Sequence, residues 1–164
     1  MIGKEMEKAL NEQINAEMYS AYLYLSMAAY FESENLPGSA TWMRVQMQEE
    51  TVHAMKLFGY VVERGGRVTL KAIEAPPTQW KSSLDAFQAS YQHEQLVTGL
   101  INKLVDLAVQ EKDHATNAFL QWYVNEQVEE EASVDKIVQY LKMAEKSPGA
   151  LLMMDRELGK RGSK

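Results

Sequence analysis

Cysteine is absent from this chain of 164 residues, which excludes disulfides, zinc–thiolate sites and a rubredoxin-type iron centre. Proline is scarce, and its four copies, Pro37, Pro76, Pro77 and Pro148, all fall between amphipathic stretches, so those stretches are free to form unbroken helices. No apolar run approaches the roughly 20 residues of a membrane span, and Met1 to Lys8 lacks the apolar centre of a secretion signal. Positive charge is in deficit: 17 Lys and Arg against 23 Asp and Glu leave a net charge of -6 and a pI near 5.1. That balance argues against nucleic acid as a partner and favours attraction of cations. The expectation is a cytoplasmic protein without membrane contact, with residues 1–164 forming one domain that buries about two thirds of its unfolded surface.

What is present is helical periodicity carrying an anomaly. Four stretches place apolar residues at alternating steps of four and three, and each interrupts its apolar stripe with a carboxylate. The first runs Leu10, Ile14, Glu17, Ala21, Tyr24, Ala28, Phe31. The second runs Met43, Met47, Glu50, Ala54, Leu57, Val61, with His53 on the face of Glu50. The third runs Leu84, Phe87, Tyr91, Glu94, Thr98, Ile101, Val105, Ala108. The fourth runs Leu120, Tyr123, Gln127, Glu130, Val134, Ile137, Leu141. Burying a carboxylate costs several kcal/mol even after relaxation, and converging carboxylates repel one another. Cations must therefore sit among them. Glu17, Glu50, Glu94 and Glu130 carry four negative charges, which two divalent ions balance; two trivalent ions bridged by one oxide balance them equally well.

Turn residues order the stripes. Helices are expected from about Lys4 to Ser33, from Pro37 to about Arg64, from Ser82 or Ser83 to about Glu111, and from Asp113 to about Lys146. The stretch from Arg67 to Lys81 contains Pro76-Pro77 and no helical period, and its length suits a connection crossing the whole bundle. The predicted fold is all-α: two antiparallel hairpins joined by one long crossover, with the bundle spanning about 4–146. Register tests it. Glu17 precedes Asn35 by 18 residues and Glu50 follows it by 15, while Glu94 precedes Asp113 by 19 and Gln127 follows it by 14. At about 1.5 Å per residue, all four reach nearly one level. A short apolar helix at about 148–159, with Leu151, Leu152, Met153, Met154 and Leu158, is too short to stand alone. It predicts a homo-oligomer, because the bundle stripes already cover one another. His93 and His114 have no evident partner and are expected to be exposed, as is Glu131; the Lys160–Lys164 tail is expected to be disordered.

Glu50-x-x-His53 alone is a weak signal, since chance produces the pair. Its register with Glu17, Glu94 and Gln127-x-x-Glu130 makes it specific. Over nearly the full length, the chain resembles the non-haem ferritins of bacterial and archaeal type. The matching segments are Asn15 to Tyr22, Trp42-Met43 through Glu49-Glu50-Thr51-Val52-His53-Ala54, Glu63 to Val68, His93-Glu94, and Phe119-Leu120 through Asn125 to Glu131.

The resemblance implies that Glu17, Glu50 and His53 hold one iron with Glu50 bridging, that Glu94 and Glu130 hold a second, and that Gln127 positions the bound oxygen species. It implies a tyrosine, Tyr24, beside the centre and a third iron among Glu49, Glu126, Glu129 and Glu130. It also implies a hollow shell of 24 subunits that oxidises ferrous iron with dioxygen or peroxide and stores ferric mineral. Two departures from the bacterioferritin pattern bear on haem. Gln127-x-x-Glu130 stands where a second Glu-x-x-His would be, and Thr51 stands where the haem-ligating methionine would be, so no haem is expected. Met43, Met47, Met55, Met153 and Met154 are read as core or interface packing. A di-iron or di-manganese oxidase that retains its metal is the competing reading; a DNA-protecting mini-ferritin fits poorly, because its ligands lie between subunits.

Overall fold

Helix boundaries follow the turn residues closely. The computed structural model describes residues 1–162. It places α1 at Lys4–Ser33, α2 at Pro37–Glu63, α3 at Ser83–Gln110, α4 at His114–Ala144 and α5 at Pro148–Leu158, with no strand among the described residues. Ser82 caps α3 by accepting a hydrogen bond from the Asp85 amide at 3.1 Å, and Asp113 caps α4 by accepting from the Thr116 amide at 3.1 Å. Both hairpin turns use a left-handed residue, Asn35 at φ 59° and Lys112 at φ 55°. Asparagine tolerates that conformation readily; lysine adopts it at a cost that the surrounding turn has to overcome.

The crossover runs along α1 on polar pegs. Asn11 Nδ2 donates to the Arg67 carbonyl at 3.0 Å, and its Oδ1 accepts from the Thr69 amide at 2.6 Å. Asn15 Nδ2 donates to the Ala72 carbonyl at 3.1 Å, and Ser26 Oγ to the Pro77 carbonyl at 2.5 Å. These pegs satisfy extended backbone that has no strand partner. The connection thereby returns to the α1–α2 turn, and α3 starts beside it, running antiparallel to α1.

The core is split in two. One apolar cluster gathers Tyr24, Met27, Phe31, Met43, Phe87 and Leu141 at that end, and the other gathers Leu10, Leu57, Val61, Ile101, Leu120 and Tyr123 at the far end. Between them lies a buried polar layer of Gln13, Glu17, Gln46, Glu50, His53, Glu94, Gln127 and Glu130. Every carboxylate that interrupts a stripe in sequence, together with His53 and Gln127, therefore falls in one slab.

The fifth helix is not left wholly unpartnered, which corrects the expectation from its length. Leu158 is buried and Leu151 and Met154 pack against the first cluster, because α5 folds back onto the start of α2; Leu152 and Met153 stay exposed. Asp155 anchors it. Its carboxylate accepts from the Gly38 amide at 3.0 Å and from the Ser39 amide and hydroxyl at 2.7 Å each. The N-cap residue of α2, Leu36, makes no side-chain cap, so a distant aspartate supplies one. Gly38 is required there, since a Cβ would lie 1.7 Å from the Asp155 carbonyl oxygen. Asp155→Ala should lower the unfolding free energy by about 1–2 kcal/mol, the scale of a lost N-cap, and expose α5 to proteolysis. An unchanged denaturation midpoint would mean that α5 is held by its apolar contacts alone.

The tail is likewise more ordered than expected. Lys160 pairs with Glu157 at 2.5 Å, and Arg161 pairs with Glu49. Residues 163 and 164, the remainder of that expectation, lie outside the described residues.

Candidate metal centre

Each of the four long helices contributes to the layer. Glu17 on α1 and Glu50 and His53 on α2 can each offer one ligand atom, with all three atoms within 4.8 Å of one another. His53, Glu126 and Glu130 form a second such trio, so His53 belongs to both. His53 Nδ1 lies 3.3 Å from Glu50 Oε2, and its Nε2 lies 3.8 Å from Glu126 Oε1.

Glutamine amides steer the carboxylates. Gln13 Nε2 donates to Glu17 Oε1 at 2.8 Å, and Gln46 Nε2 donates to both Glu50 Oε1 at 2.9 Å and Glu130 Oε2 at 2.8 Å. Gln127 Nε2 donates to Glu94 Oε2 at 3.1 Å, and the Tyr24 hydroxyl donates to Glu94 Oε1. The stripes did not single out Gln13 and Gln46. Each stands four residues before a core glutamate, one turn away on the same face, and that spacing was a signal available to find them.

Burial sets the electrostatics. It pushes Glu17 well above the ordinary carboxylate range, and the Glu50 charge pushes it further. Burial, then the charges of Glu50 and Glu130, raise Glu94 to about 8. Burial and Glu50 likewise raise Glu130 to about 7. Burial also opposes ionisation of Glu50, but the His53 hydrogen bond and charge, with the Gln46 amide, outweigh it and hold Glu50 below its usual value. For His53, burial favours the neutral ring; the Glu50 contact and the surrounding carboxylates win and raise it to about 9. Without cations the layer thus favours one ion pair, Glu50 with His53, among acids that hold their protons more tightly than carboxylates in water.

That compromise leaves loose ends. Glu17 Oε2 and Gln46 Oε1 are buried oxygens without a hydrogen-bond partner. Orphaned acceptors are costly in a packed interior, and cations would satisfy them. Carboxylate oxygens with one imidazole form a donor set suited to iron.

Two other residues depart from expectation. His93 is half-buried rather than exposed; its Nε2 lies 2.7 Å from Ser20 Oγ, and its ring meets the edge of Tyr24. Burial lowers its pKa. Glu131 is half-buried and accepts from Thr98 Oγ1 at 2.5 Å. Of the acids read as a third site, Glu126 and Glu130 meet at His53, whereas Glu129 is exposed and Glu49 is held by Arg161. His114 is exposed as expected. Trp122 stands edge-on to His53 with ring centroids 5.3 Å apart, and Lys56 lies 4.0 Å above it.

The sequence profile of the Ferritin family, described as a ferritin-like domain, matches residues 7–144. The chain belongs to the ferritin family. Among ferritins, it is 44% identical over 161 residues to a bacterial non-heme ferritin of Bacteroides fragilis, covering 98% of this chain and 100% of that one. Against a bacterial non-heme ferritin of Campylobacter jejuni it is 42% identical over 156 residues, with 95% and 93% covered. Among solved structures, an open-pore ferritin from the hyperthermophilic archaeon Archaeoglobus fulgidus superimposes with a TM-score of 0.97 at 58% identity, covering 98% of this chain and 99% of that one. The non-haem subtype and the all-α ferritin-like fold read from sequence therefore hold. Iron binding and iron storage are the functions that membership of this family carries, and the carboxylate and histidine layer is where this ferritin has the groups to bind iron.

Proposed function

We propose that this ferritin is a ferroxidase, oxidising ferrous iron inside each four-helix bundle before storing it as ferric mineral in a shell of identical subunits, 24 by resemblance. The observation that carries the reading is the buried layer itself, with two ligand trios meeting at His53 and an unsatisfied oxygen on Glu17. Glu17, Glu50 and His53 would hold one ferrous ion, and Glu94 and Glu130 a second, with Glu50 between them. Two ions side by side supply the two electrons that reduce dioxygen to hydrogen peroxide, each ion losing one and solvent supplying two protons. Gln127 would orient the oxidant, since its amide already reaches into the layer beside Glu94. Tyr24 would hold Glu94 in place through its hydroxyl. Glu126 and Glu130, joined by Glu49 and Glu129 after side-chain rotation, would take a third ion on its way out of the centre.

Storage differs from a fixed di-metal cofactor in what happens after oxidation. Ferrous iron added stepwise to apoprotein in air, with ferric absorbance and particle mass followed together, should show fast oxidation saturating at two or three irons per chain and then slow uptake to hundreds per particle. Saturation at two without further uptake would instead make the centre a retained cofactor and the chain an oxidase of some other substrate.

A further inference from the structure

The C-terminal segment lies against α2 and reaches, at Arg161, the acid next to Glu50 in the chain. Gly159 lies so near Gly38 that a Cβ on it would come within 3.2 Å of the Gly38 Cα, Arg161 stacks over Trp42 with its guanidinium carbon 4.2 Å from the ring centroid, and a Cβ on Gly162 would come within 3.2 Å of the Val45 side chain. Arg161 Nη2 then pairs with Glu49 Oε2. Glu49 is half-exposed and stands four residues before His53 on α2, on the same side of the helix, and the charges of His53 and Glu126 both act on it. The guanidinium seat is imperfect, because Arg161 Nη1 is buried without a partner. A clasp with an unsatisfied donor is easily released.

We infer that Arg161 is a tethered competitor of the third cation: it occupies Glu49 while the site is empty and must swing away before that carboxylate can bind an outgoing ion. The inference rests on the third-ion reading above. Arg161 touches neither the Glu17, Glu50 and His53 trio nor Glu94, so it acts through Glu49 alone and is a positioning residue. In the resting molecule the guanidinium supplies the positive charge that Glu49 otherwise takes from iron. The clasp also joins α5 to the centre, since the segment that carries Arg161 is anchored by Asp155 at the start of α2.

Anaerobic titration calorimetry with ferrous iron alone, on the assembled apoprotein, separates the possibilities. Arg161→Ala should tighten the third equivalent per chain about fivefold, the scale of a half-exposed ion pair, and leave the first two equivalents unchanged. Arg161→Lys should restore wild-type affinity, and the gap between wild type and Arg161→Ala should narrow as salt screens the pair. Loss of the third equivalent in Glu49→Gln, with no change in Arg161→Ala, would overturn the clasp while upholding the third ion. A third equivalent that is missing in wild type, or unaffected in Glu49→Gln, would overturn both. A weakened third equivalent in Arg161→Ala would show that Arg161 supports the ligand rather than competing for it.

Discussion

Glu50→Gln should eliminate the fast phase of ferrous oxidation, cutting the initial rate on the order of 100-fold, the upper end of what losing even a supporting partner costs a metal site. Glu50 is the carboxylate on which the layer converges. Its charge acts on Glu17, His53, Glu94 and Glu130 alike, and it is held below its usual pKa while those three acids are raised. It is therefore the anion already present when the first ferrous ion arrives. An amide matches its shape and keeps an acceptor for Gln46, so the bundle should survive, as far-ultraviolet dichroism and particle mass would verify. On the proposed two-ion reading, what would disappear is the charge between the ion positions, and with it the means of holding two ferrous ions close enough to give dioxygen two electrons. Single-turnover stopped-flow absorbance makes the measurement. A rate within threefold of wild type would place oxidation elsewhere in the molecule.

Apoprotein stability should fall as pH rises from about 5 to 9, and iron should remove that slope. The sign follows from linkage. Glu94, at about 8, and Glu130, at about 7, bind protons more tightly in the folded chain than when unfolded, so their contribution is full at acid pH and is lost as pH climbs through those values. His53, raised to about 9, acts in the same direction over its own window between the ordinary histidine value and 9. Glu50, being lowered, opposes them only at acid pH, where its stabilisation is lost as it protonates. These groups are buried, so together they are worth several kcal/mol between pH 5 and 9. Metal loading reverses the preference, because a ligating carboxylate or imidazole must be deprotonated. At pH 7, Glu94 and His53 should each release a proton on loading and Glu130 part of one, so roughly two to three protons per chain, and the upward shift of Glu17 adds to that release rather than opposing it. Urea denaturation across the pH range and proton release under anaerobic ferrous loading test the two halves separately. A flat apoprotein profile, or release of fewer than one proton per chain, would mean that the acids are already ionised and solvated before iron binds.

Both predictions trace to a polar layer lying between two apolar clusters, and that layer trades stability for function. The bundle would be more secure with leucine at Glu17 or Glu94, since apolar replacements for buried charges commonly stabilise. On the proposed function the acids remain, at protonation states they would not choose in water, because there they can exchange protons for cations. Labile carboxylate ligands in such a setting would also let oxidised iron leave, which a storage protein needs.

Sequence by itself determined which residues face inward and at what height. An α-helix repeats every 3.6 residues, so an interrupted apolar stripe places Glu17, Glu50, Glu94 and Glu130 in the core without reference to any other part of the chain, and turn positions fix their common level. The helix ends at Pro37, Ser82 and Asp113 were legible for the same reason: capping is chemistry within a few residues. Tertiary structure decided which side chains meet across long separations. Periodicity gives a face but not the neighbour opposite it, so Glu126 reaching His53 and Ser20 reaching His93 became visible only once the two hairpins were packed together, and Thr98 reaching Glu131 only once α3 and α4 were paired. The same holds for the C-terminus. Nothing local to Asp155 or Arg161 announces that one caps α2 from 116 residues away and the other holds Glu49 from 112 residues away. Such contacts depend on how α5 folds back against the bundle, and packing of an apolar face against a distant surface is set by the whole fold rather than by any stretch of its sequence.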